Sequence, residues 1–382
     1  MFAQISQMHD LHEYLNPLNS AEILNDESLT DGQIGSNILK FEDNFPEIED
    51  VNIVIFGVTE TRGALVKNEE QGPDIIRKKL YHLHYWHTDV KIADLGNIKC
   101  GASLEDTYAA VKIVLSSLLK QNKTVIILGG SHDVTLAQYE AYKTLEKVVE
   151  ITCIDSAIDI YTDSSLRSEN FLLEMLTGEP NLVKHYNHIA FQSYFVHPRM
   201  METLDKLRFD CYRVGVVQEN MEEMEPVIRS SDIVSFDVNS IRNSDSPASK
   251  MSPNGLNGSE ACVLARYAGL SNKLSSFGIF GYRPSFDRDE LSAMQIAQMI
   301  WYFIDGKNKL LNEADFEVEN DFFRFHINFG EIESTFLQSK KTGRWWMQMP
   351  DKKYIPCSKN DYFLASNNEI PERWLRFQER DV

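Results

Sequence analysis

The sequence predicts a three-layer α/β/α fold built on a mostly parallel, roughly eight-stranded sheet, followed by a small β-rich C-terminal extension. Three observations predict it. Short β-branched apolar runs alternate with segments of helical period from Val51 to Ile304, the pattern of successive βαβ units. Three of those runs end in polar segments rich in His, Asp and Asn. Beyond about Glu313 the helical period stops and large aromatic residues accumulate. These changes divide the chain into an N-terminal arm (1–48), an α/β domain (49–312) and an aromatic-rich extension (313–382) packed on it.

The arm is acidic and Asn-rich, with a short helix expected at Ser20 to Leu24, a turn at Asp31-Gly32 and partial order elsewhere. Val51 to Val58 then reads as a buried strand, and Gly72-Pro73-Asp74 opens a helix through about Leu83, with Pro73 suited to a first helical turn. Lys91 to Leu95 is a strand, and Leu104 to Leu119 a helix with Val111, Val114, Leu115 and Leu118 on one face. Thr124 to Leu128 (strand), Thr135 to Leu145 (helix), Val148 to Ile154 (strand) and Glu169 to Leu176 (helix) continue the alternation. His188 to Tyr194, Cys211 to Val216, Asp232 to Asp237 and Leu274 to Phe280 are further strands; Pro198 to Leu207, Gly258 to Leu270 and Ser292 to Ile304 are helices. In the extension, Phe322 to Phe329, Ser334 to Ser339 and Trp345 to Met349 are expected as antiparallel strands, with a turn at Lys341-Thr342-Gly343. Rings such as Phe316, Phe322, Phe323, Phe336, Trp345, Trp346 and Trp374 are too many to leave in water. Packing onto the main domain is the favoured reading, and an aromatic docking surface for a partner protein the other.

The polar segments are Gly129-Gly130-Ser131-His132-Asp133, Asp155-Ser156-Ala157-Ile158-Asp159 and Ser235-Phe236-Asp237-Val238-Asn239. Each follows a buried run, so His132, Asp155, Asp159, Asp237 and Asn239 gather where parallel strands end, the place where open α/β sheets bind ligands. Singly, each has a structural alternative, since strand-end carboxylates are often satisfied by backbone amides, and Asp133 sits near the N-cap of the next helix. Ser131-His132-Asp133 is not read as a triad, which is defined in space.

In this order the segments resemble the ureohydrolase family of arginase, agmatinase and formimidoylglutamase, whose usual motifs read GGxH, DxHxD and SxDxD. Gly57 to Arg77, Ser246-Pro247-Ala248 and Ser252 to Leu256 extend the likeness over roughly residues 50 to 305. The resemblance implies an arginase-like fold, a homo-oligomer, and two Mn²⁺ ions that activate a bridging hydroxide against a guanidinium or formimino carbon. Position by position, one ion falls to His132, Asp155, Asp159 and Asp237. The other would need a His where this chain has Ala157 and an Asp where it has Asn239. An Ala methyl offers no lone pair, and Asn239 keeps one neutral carbonyl oxygen. The family's guanidinium-binding carboxylate falls on Gly281, and Arg283 adds a positive charge nearby.

These departures point to one Mn²⁺ rather than two, with Asn239 a further candidate donor. Arg167, Asn170 and Arg283 are the candidate substrate-binding residues for a small-molecule ligand. The expected function is a ureohydrolase-fold protein with a degenerate, catalytically impaired centre acting as scaffold, sensor or regulatory subunit. The alternative is a metal-dependent hydrolase of C–N bonds in linear amidines, formimidoylglutamase-like, using the retained site. His82, His84 and His87 are expected at the surface or at helix ends. His185 and His188 are expected on a rim, unless a loop folds one over the site in place of the lost His.

A net charge of −19 argues against nucleic acid and anionic membranes as partners. No apolar stretch approaches the roughly 20 residues of a spanning helix, and Met1 to Glu13 lacks the order of a secretory signal, so a cytoplasmic protein is expected. Five widely spaced cysteines fit reduced thiols better than a disulfide or zinc framework.

Overall fold

The computed structural model describes residues 11–64, 71–249 and 252–380. The first ten residues of the arm, which hold most of the Met1 to Glu13 stretch, and residues 65–70 within Gly57 to Arg77 lie outside the described residues.

Eight strands form the body of the main sheet: β3 (Ile53–Gly57), β4 (Ile92–Ile98), β5 (Thr124–Leu128), β6 (Val149–Ile154), β7 (Val183–Phe191), β8 (Asp210–Arg213), β9 (Ile233–Asp237) and β10 (Ser276–Phe280). The arm adds β1 (Leu15–Asn16) and β2 (Leu39–Lys40), making ten strands in the order β1-β4-β3-β5-β10-β9-β6-β7-β8, with β2 also on β4. Among these, β1 on β4 is antiparallel and the other pairings are parallel. Buried on both faces, such strands need apolar side chains on each side of the pleat. In β3, Ile53 and Ile55 enter one core layer while Val54 and Phe56 enter the other.

Helices Gly72–Tyr81, Gly258–Gly269 and Leu291–Leu310 cover the first face; Leu104–Lys120, Val134–Thr144, Arg167–Thr177 and Pro198–Lys206 cover the second. In the Leu104–Lys120 helix, local signals set both the start and the buried face. Ser103 and Asp106 form a reciprocal capping box, and Val111, Val114, Leu115 and Leu118 are fully buried. Each such side chain contributes about 1.5–3 kcal/mol relative to exposure.

Several strand boundaries differ from the expectation, those of β7 and β8 among them. β7 begins at Val183, because its buried polar side chains (His185, Asn187, His188) face hydrogen-bond partners and so broke the apolar pattern. It ends early at a bulge, where Ala190 has φ +74° and the register with β8 shifts. Val214–Glu219, whose β-branched residues read as strand, is a short helix that buries Val217.

The extension forms a separate antiparallel sheet, β11 (Phe322–Phe329), β12 (Ile332–Ser339), β13 (Trp345–Gln348) and β14 (Tyr354–Cys357), with helices Lys359–Ser366 and Glu372–Arg380 that the sequence reading did not anticipate. Trp345, Tyr362 and Phe325 stack together, while Phe316 and Phe323 stay about half exposed. Fully buried Arg229 of the main domain reaches into this sheet. Its guanidinium lies 4.4 Å from the Trp346 ring centroid and donates to the Trp345 carbonyl at 2.8 Å. Among the described residues, no helix is long and apolar enough to cross a membrane.

One ion pair ties helix to sheet beneath the site. Arg77 is fully buried; Nε and Nη2 donate to the two oxygens of buried Asp94 at 2.8 and 3.0 Å, and Nη2 also donates to the Gly96 carbonyl. Tyr81 adds a hydroxyl to Asp94 at 3.0 Å. Removing one partner of such a pair strands a charge in a dry interior. Arg77→Ala is therefore expected to lower unfolding free energy by about 3–5 kcal/mol in chemical denaturation, whereas a loss under about 1 kcal/mol would show that the pair is not an anchor.

Candidate metal centre

Four adjacent strands, β5, β10, β9 and β6, deliver the candidate residues to one end of the sheet. His132 lies just beyond β5, Asp155 just beyond β6, Asp237 ends β9, and Gly281 to Arg283 follow β10. Gly129 (φ +79°) and Gly130 (φ +82°) make the turn that brings His132 back over the strand ends. A Cβ on Gly129 would lie 2.9 Å from Pro73 and 3.0 Å from the Val58 carbonyl, so both conformation and space call for glycine there.

His132 is the hub. Its Nδ1 lies 3.0 Å from Asp159 Oδ2, 3.3 Å from Asp155 Oδ2 and 3.5 Å from Asp237 Oδ2. On the opposite side Nε2 lies 3.0 Å from Ser235 Oγ, which is itself 2.6 Å from Thr135 Oγ1. With Nε2–H donated to Ser235, Nδ1 is the ring atom that faces the carboxylates: protonated, it donates to them, and deprotonated, it offers its lone pair to a cation bound among them. The carboxylates are held by main chain: Ser156 N–H donates to Asp155 Oδ1 and Asn239 N–H to Asp237 Oδ1, each at 2.6 Å. One oxygen of each is thereby fixed, and the other faces His132.

All four groups are buried. Burial penalises each ionised carboxyl and the neighbouring acids add repulsion; together they push Asp159 up to about 7 and Asp237 up to about 6. Asp155 moves the other way: its burial is outweighed by hydrogen bonding and attraction to His132, which hold it below the usual carboxylate range. Burial alone would lower His132, but hydrogen bonds to Asp155 and Asp159 raise it well above the ordinary imidazole value. Donor atoms from His132, Asp155 and Asp237 lie within 4.8 Å of one another. This is a buried set of hard oxygen and nitrogen donors carrying more negative than positive charge, which suits a divalent cation.

The centre opens into a cavity of about 140 Å³ lined by Thr61, Ser168, Glu169, Ala157, Asn239 and Arg283, among others. Asn239 and Arg283 thus reach the cavity, but Arg167 and Asn170 do not line it. Arg167 pairs with Glu174 at 2.5 Å and Asn170 donates to the Ser164 carbonyl at 2.8 Å, so their helix turns Ser168 and Glu169 inward instead. The chain at Gly281 (φ +77°) runs against Asp237: a Cβ there would sit 2.7 Å from Asp237 Oδ1. A side chain at 281 would have to displace Asp237 Oδ1 and adopt a strained positive φ, so both space and conformation favour glycine there.

Other expectations change. Asp133 precedes the Val134–Thr144 helix but does not cap it; its carboxylate accepts the Tyr108 hydroxyl, a partner distant in sequence. His185 and His188 are buried within β7 rather than on a rim. His188 Nε2 lies 3.1 Å from the Asp155 carbonyl, and burial lowers its pKa to about 4, so a neutral ring supports the loop from below. His185 pairs with Asp210 at the sheet edge. His82 and His87 pair with Glu27 and Asp305.

The arginase family model matches residues 51–305. Formimidoylglutamase of Staphylococcus haemolyticus is 24% identical over 262 residues, covering 65% of this chain and 82% of that protein. Formimidoylglutamase of Clostridium tetani is 26% identical over 260 residues, covering 63% and 77%. Among solved structures, Trypanosoma cruzi formiminoglutamase with Mn²⁺ superposes with a TM-score of 0.66 at 18% identity, covering 73% of this chain and 99% of that one. Formimidoylglutamase from Bacillus subtilis gives 0.64 at 15% identity, covering 76% and 98%. The extension beyond residue 305 lies outside the family match. The chain belongs to the arginase family.

Proposed function

We propose that this protein is a metal-dependent hydrolase of C–N bonds in linear amidines, formimidoylglutamase-like, working with the single retained ion site. The observation that carries the reading is the convergence of His132, Asp155, Asp159 and Asp237 into one buried cluster opening on a cavity. Membership of a family of hydrolases and relatives named formimidoylglutamase support it over the impaired-centre reading. That reading rests on the substitutions at 157, 239 and 281 alone.

His132, Asp155, Asp159 and Asp237 would hold Mn²⁺. The bound ion supplies Lewis acidity and a water made more acidic. The chain does the rest: Ser235 fixes the imidazole tautomer, while Ser156 and Asn239 amides aim the carboxylates. Glu169, on the cavity wall outside that set and with one carboxylate oxygen accepting the Ser164 hydroxyl, is the candidate to exchange a proton with the departing nitrogen. Gly281 supplies no carboxylate for a guanidinium, and Arg283 disfavours a net cation such as arginine or agmatine. An amidine bearing two carboxylates is net anionic and is favoured.

Mn²⁺-loaded protein is expected to hydrolyse formimidoylglutamate in preference to arginine and agmatine, and Asp155→Ala to lower kcat/KM by about a hundredfold or more. Unchanged turnover in Asp155→Ala would remove the metal centre from the reaction.

Metal binding is also linked to pH. In the metal-free protein the raised carboxyls of Asp159 and Asp237 contribute stability that is fully present below about pH 4 and lost as pH rises through about 6–7. Mn²⁺ needs these groups ionised, so it offsets that loss. The Tm gained on saturating with Mn²⁺ is expected to be larger near pH 8 than near pH 5, with proton release on binding near pH 6, measured by calorimetry in buffers of different ionisation enthalpy. An equal gain at both pH values would contradict the assignment of these ligands.

A further inference from the structure

We infer that Arg283 supplies the second positive charge of the centre, so that one metal ion and one guanidinium together neutralise the buried carboxylates and a second ion is excluded. This rests on the metal-centre reading above and goes further, because it explains how a site that has lost donors at 157 and 239 can still be electrically complete.

Arg283 lines the same cavity as His132, Asp155, Asp159, Asp237, Ala157 and Asn239. It is carried there by the tight turn after β10, where Gly281 N–H donates to the Gly130 carbonyl at 2.9 Å and Gly281 packs directly on Asp237. Among the described residues its guanidinium forms no ion pair or hydrogen bond, whereas Arg62, Arg77, Arg167, Arg242 and Arg344 are all paired. A half-buried guanidinium that lines a carboxylate-bearing cavity without a partner of its own is an uncommon expense of charge, and Asp237 lines the same cavity.

The charge count agrees. The three carboxylates that close on His132, taken with a neutral imidazole, carry three negative charges, which one divalent ion and one guanidinium balance; Glu169, on the cavity wall, stands outside this cluster and accepts the Ser164 hydroxyl. Two divalent ions beside Arg283 would place five positive charges in a cavity of about 140 Å³. Ala157 and Asn239 lie on this cavity wall too, so the loss of donors and the arrival of a cation concern the same space.

The test is Mn²⁺ stoichiometry, by elemental analysis after removal of free ion, in full-length wild type, Ala157→His/Asn239→Asp, and that pair combined with Arg283→Gln or Arg283→Lys. Thermal melting checks that each is folded. The expected result is one ion per chain in wild type, one in the double variant with Arg283 intact, two when Arg283→Gln is added, and one when Arg283→Lys is added. Two ions in wild type or in the double variant would overturn the inference while leaving the metal-centre reading standing. A single ion in the folded Arg283→Gln triple variant would overturn it as well. No ion in wild type would sink the metal-centre reading itself. Should the triple variants fail to fold, the double variant alone decides between the outcomes.

Discussion

Three carboxylates packed around one imidazole, all buried, form the constraint to which the rest of the architecture answers. At separations near 4 Å, two like charges repel by about 4 kcal/mol even at an effective dielectric of about 20. Buried acids normally relieve that by moving apart or by pairing with separate cations. Here they are prevented from doing so: Asp155 and Asp237 are each pinned by a backbone amide, and all three point an oxygen at His132 Nδ1. The imbalance is held in place by the fold, and a divalent cation is the chemistry that resolves it.

The sheet makes this possible through strand order rather than sequence proximity. β5, β10, β9 and β6 are neighbours in space but far apart along the chain, and their parallel pairing places all of their ends at one edge. Rigidity comes from below. Arg77 bonded to Asp94 locks the Gly72–Tyr81 helix to β4, and Pro73 of that helix packs beneath the Gly129-Gly130 turn. Neutral His188 props the Asp155 carbonyl from β7. The extension is joined elsewhere, by Arg229 in its aromatic sheet and by Arg376 on Asp210 at the far edge, so it adds no described side chain to the cavity.

What the sequence revealed and what it hid follow from the range of the interactions. Strands β3, β5 and β9 are short apolar runs whose period is local, and the His and Asp segments at their ends were legible because buried strands must stop where polar residues begin. β7 was misplaced because its polar residues are satisfied by partners on β6 and β8, which no local pattern records. Arg167 and Asn170 have the chemistry of a substrate site, yet helix phase decides which side chain faces inward, and it turns Ser168 and Glu169 to the cavity. Tyr108, Ser235 as tautomer setter, and the fit of Gly281 against Asp237 are contacts across tens to a hundred or more residues. A close approach of that kind leaves at most a bare glycine as its trace in sequence. The two C-terminal helices, of eight and nine residues, fall where the sequence reading assigns no element.

The most direct test of the account is electron paramagnetic resonance of Mn²⁺-loaded protein freed of unbound ion. The loaded protein is expected to show the hyperfine pattern of an isolated, protein-bound Mn²⁺, abolished by Asp155→Ala in a chain that remains folded. An exchange-coupled spectrum from two neighbouring ions, or a bound-ion signal that survives Asp155→Ala, would contradict it.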